Sequence, residues 1–125
     1  MSHRILVVDD ECLIADTLSL ILRRSGYECR TAYDGEEALA IAAHFAPHLI
    51  ITDVIMPKMN GLELLRESRR LPRCPAVLVI SGNAEAAVIL EREKLPAKHV
   101  RFESKPLGPP AMLALIKVMI KNLGV

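Results

Sequence analysis

The residues of this chain best able to do chemistry together each stand where a short apolar run stops. Asp9 and Asp10 follow residues 5–8, Asp53 follows 49–52, Ser81 follows 76–80, and Lys105 lies just past 100–103. Carboxylates brought within a few ångströms repel one another, and without a cation at least one is driven towards its protonated form. A divalent ion resolves that repulsion. Oxygen-only donors with few protein contacts suit Mg²⁺, which keeps several waters and shares its sphere with a phosphoryl group; Mn²⁺ takes the same kind of donor. A neighbouring aspartate can then act as a nucleophile towards phosphorus and form an aspartyl phosphate. Phosphoryl transfer asks the protein for positioning and charge neutralisation, and the ion, a lysine ammonium and a hydroxyl donor supply these. Gly82, beside Ser81, lets backbone approach a phosphoryl group closely.

Singly, each residue is better explained as plain structure. Asp10 reads as the cap of a following helix, Asp53 as a turn residue and Ser81–Gly82 as a loop and cap, and Lys105 as a solvated surface lysine. Their coincidence at one edge of a sheet lowers the weight of those explanations, so the case rests on the elements that would bring them together. Short apolar runs at 5–8, 27–31, 49–52, 76–80 and 100–103 alternate with longer helical patterns. Those at 5–8, 49–52 and 76–80 are continuously apolar and β-branched, as strands buried on both faces should be. The run at 27–31 alternates with Glu28 and Arg30, which fits an edge strand.

Between the runs, Leu13, Ile14, Leu18, Ile21 and Leu22 recur at helical spacing, with Gly26 as a stop. A second helix starts at the cap Asp34–Gly35 and ends before Pro47. A third follows Asn60–Gly61 and closes before Pro72, a fourth spans about 85–93, and a fifth begins after Pro109–Pro110, one of which suits the first helical turn, and runs to about Asn122. This order predicts an α/β fold, a doubly wound five-stranded parallel sheet with five helices over both faces, and one domain over residues 1–125. Right-handed crossovers then put the carboxyl ends of all strands on one edge, where such sheets bind ligands.

Composition narrows the function classes. The chain has 125 residues, 51% apolar and 25% charged, with sixteen Lys+Arg against fifteen Asp+Glu. A domain this long buries about two-thirds of its unfolded surface and needs neither disulfides nor a structural metal. A formal charge of +1, no Trp and two each of Phe and Tyr argue against a dedicated nucleic-acid binder. Cys12, Cys29 and Cys74 are an odd set without CxxC spacing, expected as reduced, buried small hydrophobes. Residues 5–8 are too short for a signal peptide, and no stretch approaches the roughly 18 apolar residues of a membrane span, so a cytoplasmic location is expected. His3, His44, His48 and His99 share no metal-like spacing, and a phosphodonor histidine would come from a partner.

Jointly, Ile5, Leu6, Val7, Val8, Asp9, Asp10 and Glu11, then Asp34–Gly35, the run from Asp53 through Pro57 to Asn60–Gly61, Ser81–Gly82, and Phe102 through Lys105–Pro106 are similar to the motifs of receiver domains of two-component response regulators. The resemblance covers essentially the whole chain. It implies the flavodoxin-like strand order 2-1-3-4-5 and Asp53 as phosphoacceptor. It also implies Asp10 as the direct acidic Mg²⁺ ligand beside Asp53, Asp9 acting through water, and the Ile55 carbonyl as a further ligand. Ser81, Gly82 and Lys105 would contact the phosphoryl group, with a cis peptide bond between Lys105 and Pro106. Phe102 matches the family's switch aromatic, which turns inward as Ser81 moves; on its own it reads as an ordinary core aromatic. The implied donor is a sensor histidine kinase or a histidine phosphotransfer protein.

Ile55 and Asn83 match the two positions that tune phosphoryl lifetime in the family. Apolar Ile55 cannot orient a water through its side chain, so slow self-hydrolysis is expected. The fifth helix has an apolar arc wider than the roughly 100° that packing on a sheet needs. Either it is simply well buried, or the surface of the fourth helix, fifth strand and fifth helix forms a homodimer or docks a target after phosphorylation. Pro96, in the approach to the fifth strand, departs from the Gly-rich turn of the family. Phe102 lacks a hydroxyl, so an output through a switch tyrosine's hydrogen bond is not expected.

Two other readings stand beside the phosphoacceptor switch. A Mg²⁺-dependent phosphatase with an aspartyl phosphate would need a second carboxylate two residues after the nucleophile, where Ile55 stands, and a cap for which no residues remain. A phosphorylation-independent interaction module is disfavoured by the intact acidic set and Lys105. Within residues 1–125 there is no segment for a DNA-binding or enzymatic output domain. The expectation is therefore a stand-alone receiver acting by docking or relay, or one domain of a larger regulator or hybrid kinase.

Overall fold

The computed structural model describes residues 3–54, 56, 59–81, 100–104 and 108–123, with Ser81 described in its backbone alone. Its strands are β1 (Arg4–Val8), β2 (Glu28–Ala32), β3 (Leu49–Asp53), β4 (Ala76–Ser81) and β5 (Val100–Ser104). They form one parallel sheet in the order β2-β1-β3-β4-β5, as expected. β2 sits one residue later than its apolar pattern suggests. The reason is local: the Tyr27 N–H donates to the Leu22 carbonyl at 3.1 Å, closing the preceding helix instead of joining the ladder.

The helices among the described residues are α1 (Cys12–Arg24), α2 (Gly35–Phe45), α3 (Gly61–Ser68) and α4 (Pro109–Asn122). The last is the fifth helix of the sequence reading, and the helix expected over 85–93 lies outside the described residues. Asp34 caps α2 by accepting the Glu37 N–H at 2.8 Å, and Asn60 caps α3 by accepting the Glu63 N–H at 2.9 Å. Each such cap is worth about 1 kcal/mol. Gly26, just past α1, takes φ 99°, a conformation that excludes most side chains. α4 begins at Pro109 and not after Pro110, because the first turn of a helix has no partner for the N–H that proline lacks.

Strand alternation sorts the core into two layers. Ile5, Val7, Leu49, Ile51, Leu78 and Ile80 pack with Ala15 and Leu22 of α1 and with Met112 and Ile116 of α4. Leu6, Val8, Ile50, Val77 and Val79 pack with Ala38 and Ala42 of α2 and with Leu62, Leu64 and Leu65 of α3. Both faces of β1 and β3 are thus sealed, and the strands that end in the aspartates are the best-buried part of the molecule.

Several expectations are corrected. Leu13 is 80% exposed although it fits the helical period. α1 centres its buried arc on Ala15, Ser19 and Leu22, and at roughly 100° per residue Leu13 falls about 160° away from Ala15. Cys29 is buried, but Cys12 and Cys74 are exposed free thiols. For α4, where burial and an exposed docking face were both open, burial accounts for most of the apolar arc: Met112, Ile116, Met119 and Ile120 are buried, leaving Ala111, Ala114 and Val118 exposed.

The amino edge of the sheet is tied by one pair of residues. The His48 N–H donates to the Arg4 carbonyl at 2.8 Å, the Arg4 N–H donates to His48 Nδ1 at 2.9 Å, and Arg4 Nε donates to the Ala46 carbonyl at 3.0 Å. Nδ1 can accept only when it carries no proton. Burial, and then the charges of Arg4, His3 and Arg73, hold the His48 pKa below its usual 6.5. Between that lowered value and 6.5 the unfolded chain takes up a proton that the folded chain does not. Stability is therefore fully present above the window and falls as pH drops through it. His48→Asn, which keeps an acceptor but does not titrate, is expected to flatten the dependence of the thermal midpoint on pH between about 7.5 and about 5. An unchanged slope would show that other groups set it.

Candidate functional site

The carboxyl edge of the sheet brings Asp9, Asp10 and Asp53 together, with one carboxylate oxygen from each lying within 4.8 Å of the others. Asp9 is buried at 7% exposure, Asp53 is half-buried, and Asp10 is exposed. Asp9 and Asp53 continue the alternation of Val7 and Ile51, so both stand on the α1/α4 side of the sheet. They line a cleft of about 260 Å³ whose other walls include Ile14, Leu18, Ile80 and Met112.

Two of the three carboxylates, those of Asp9 and Asp53, are set by backbone. The Asp9 N–H donates to the Ala32 carbonyl at 3.1 Å, which carries the β1–β2 ladder one step past Val8. Its Oδ1 accepts the Glu11 N–H at 3.0 Å. The residue at the cap position of α1 is Glu11, with no side-chain cap bond, so capping does not account for Asp10. Asp53 Oδ1 accepts the N–H of Val54 at 2.7 Å, while the Thr52 hydroxyl donates to the Asp53 carbonyl at 2.9 Å. The Val54 carbonyl in turn accepts the Gly61 N–H at 2.8 Å. The start of α3 is therefore strapped against the peptide that carries Asp53.

The three carboxylates fit a small hard cation. Two ligands on opposite sides of Mg²⁺ stand roughly 4.2 Å apart, so oxygens within 4.8 Å of one another need to close by little, or to act through a bound water. All donors are oxygens, which disfavours the softer transition metals.

Across residues 5–117 the chain matches the family described as the response regulator receiver domain. The chain belongs to that family. It is 36% identical over 122 residues to the alkaline phosphatase synthesis transcriptional regulatory protein PhoP of Bacillus subtilis (strain 168), covering 98% of this chain and 50% of that protein. The chain thus spans about half the length of this curated relative. A response regulator receiver domain protein (CheY-like) of Methanospirillum hungatei JF-1 superposes with a TM-score of 0.85 at 28% identity, covering 98% of this chain and 96% of the other. The chemotaxis response regulator CheY4 of Vibrio cholerae superposes at 0.83 with 30% identity, covering 95% and 99%. Receiver domains are phosphoacceptor switches of two-component systems, acting with histidine kinases or phosphotransfer proteins, and not turnover enzymes.

Of the other residues singled out from sequence, Ser81 ends β4 and pairs with Ser104 of β5. Ile55, Gly82, Asn83, Lys105 and Pro106 lie outside the described residues, as does the peptide bond between Lys105 and Pro106. Phe102 pairs with Val79 and packs, half-buried, against the layer that β4 shares with α2 and α3. Sequence reasoning missed the exposed apolar start of α1, where Ile14 walls the acidic cleft and stays 44% exposed while Leu13, 80% exposed, lines an adjoining groove with Thr17, Ile21 and Met112. Periodicity records that residues are apolar, not which arc a helix buries. The small Ala15 and Ser19 were the available signal that α1 packs on another side.

A Cβ at position 61 would collide with the Asp53 carbonyl oxygen and meet Val54 Cα at 3.0 Å. Gly61→Ala is therefore expected to destabilise the domain by about 1–3 kcal/mol in urea unfolding, the usual cost of overpacking against backbone. Unchanged stability would show that the 54–61 segment yields freely and does not strap Asp53.

Proposed function

We propose that this receiver domain takes a phosphoryl group onto Asp53 from a partner's phosphohistidine and alters its surface in response. The observation that supports this most strongly is the convergence of Asp9, Asp10 and Asp53 within 4.8 Å. An Asp53 carboxylate oxygen attacks phosphorus, the P–N bond of the donor breaks, and the departing imidazole is left neutral after it retains or takes up a proton. The Val54 N–H fixes the Asp53 carboxylate for that attack. Asp10 and Asp53 would hold Mg²⁺ directly, with Asp9 through water and the Ile55 carbonyl. Bound there, the ion neutralises charge on the phosphoryl oxygens, and Mn²⁺ could substitute. Ser81, Gly82 and Lys105 are assigned to the same oxygens, a task that suits a hydroxyl, a backbone N–H and an ammonium. The chain thereby catalyses its own phosphorylation and dephosphorylation.

The donor is a sensor histidine kinase or a histidine phosphotransfer protein; among the described histidines, His48 is tied at the amino edge with His3 beside it, and His44 lies in the last turn of α2. A donor that reaches Asp53 must touch the rim of the cleft, and exposed Leu13 and Ile14 supply apolar contact there. For output, phosphorylation would draw Ser81 and Phe102 inward and change the surface of the 85–93 segment, β5 and α4, for a homodimer or a target. Ala111, Ala114 and Val118 of α4 give that surface a narrow apolar stripe. Residues 1–125 would act as a single domain. No described helix is long and apolar enough to cross a membrane, and the phosphodonor chemistry suits the cytoplasm.

Intact mass after incubation with a small acyl-phosphate donor and Mg²⁺ tests the reading. One phosphoryl adduct is expected, absent in Asp53→Asn and absent with chelator. An adduct that survives Asp53→Asn would remove Asp53 as acceptor. Followed in time after donor removal, the adduct on the parent should decay several-fold more slowly than on Ile55→Asn, whose amide can orient a water. Equal decay would dismiss Ile55 as the cause of a long lifetime.

A further inference from the structure

The amino edge of the sheet, far from the acidic site, carries an open cleft of about 210 Å³ lined by Arg4, Ala46, His48, Arg73 and Cys74 among others. No carboxylate appears among its described lining residues. Two of its polar side chains are held in place. Arg4 is tied through Nε to the Ala46 carbonyl at 3.0 Å, and His48 accepts the Arg4 N–H through Nδ1. A neutral imidazole arranged this way carries its proton on Nε2, as a donor. Arg73 stands close enough to contribute to the lowered pKa of His48. Cys74 is exposed, and its thiol donates to the Arg69 carbonyl at 3.3 Å.

The other thiols sit in opposite surroundings. Cys29 is buried, and burial pushes its pKa up to about 11, with Arg23 opposing and Glu28 adding, so it is inert at neutral pH. Cys12 is exposed but opens α1 directly after Asp10 and Glu11 and one turn before Asp16. One chain therefore presents two accessible thiols, one among arginines and one among carboxylates.

We propose that the cleft at Arg4, His48 and Arg73 receives an anionic low-molecular-weight disulfide and that Cys74 forms a mixed disulfide with it. The Cys74 thiol loses its proton to solvent and its sulfur attacks one sulfur of the disulfide. The existing S–S bond breaks, a new S–S bond forms to Cys74, and the departing thiolate takes up a proton. The disulfide is itself the oxidant, and one free thiol is released per adduct. The arginines act by raising the local concentration of the anion and holding its carboxylates. The same field argument directs a cationic disulfide to Cys12.

The test uses two probes of opposite charge, oxidised glutathione and cystamine, at equal concentration and low salt, with adducts at each cysteine measured by peptide mass after digestion. The Cys74-to-Cys12 adduct ratio is expected to be about tenfold or more higher with oxidised glutathione than with cystamine, and the difference should shrink at high salt. Cys74→Ser checks the assignment of the peptide. Arg73→Glu, an exposed substitution, should cut the Cys74 adduct with oxidised glutathione several-fold and not lower the one with cystamine. Equal ratios for the two probes would overturn the proposal. So would an Arg73→Glu variant that melts like the parent and reacts like it with both probes.

Discussion

The structure depends on holding like charges together. Asp9 and Asp53 place carboxylate oxygens within 4.8 Å of one another, and at an effective dielectric constant of about 20 that repulsion amounts to about 3 kcal/mol. A domain of this size has only about 5–15 kcal/mol of net stability to set against it. The strain is tolerable because the strands behind it are sealed on both faces, with Ile5, Leu6, Leu49 and Ile50 fully buried. The N–H groups of Glu11 and Val54 give back part of the cost. A bound cation would relieve what remains, which makes the site responsive to a ligand that brings positive charge.

A parallel sheet also has a second edge, and here it has the opposite character. Residues that enter the strands, such as Arg4 and His48, gather at the amino edge with Arg73, while residues that leave them gather at the carboxyl edge. A formal charge of +1 gives no sign of these two local groupings. Net charge excluded a basic nucleic-acid surface but could not reveal this segregation, which belongs to topology and not to composition.

Much of the fold was legible because sheets buried on both faces leave continuous apolar runs. The runs ending at Val8, Thr52 and Ile80 could be placed with little ambiguity, and their ends led directly to Asp9, Asp10 and Asp53. The caps Asp34 and Asn60 were legible for a similar reason, since their side chains satisfy backbone donors that every helix start exposes. Facing was less legible than existence. Leu13 satisfies the helical period and still points to solvent, and Cys12 and Cys74 are exposed although cysteine is usually interior. Those outcomes depend on which neighbours close over a residue, and single-chain periodicity carries no such information. Asp10 shows the converse: its plain explanation as a cap failed because the chain enters α1 one residue later, at Glu11.

The exposure of Leu13 and Ile14 follows from the same geometry that builds the acidic site. A helix that returns antiparallel to its strand must start at the carboxyl edge, where the sheet beneath it ends. Its first turn therefore has little to pack on, while later turns settle over the strands through Ala15, Ser19 and Leu22. Polar residues would be the default for such an overhanging turn, yet this chain places Cys12, Leu13 and Ile14 there, beside three carboxylates. Left bare in water, that apolar area is unfavourable by about 25 cal/mol for each Å². Its value lies in what must pass it: any group that reaches Asp53 through the cleft walled by Ile14 and Leu18 arrives across this turn. The charged centre and its apolar rim are thus one consequence of a strand that ends in aspartates and a helix that starts immediately after them.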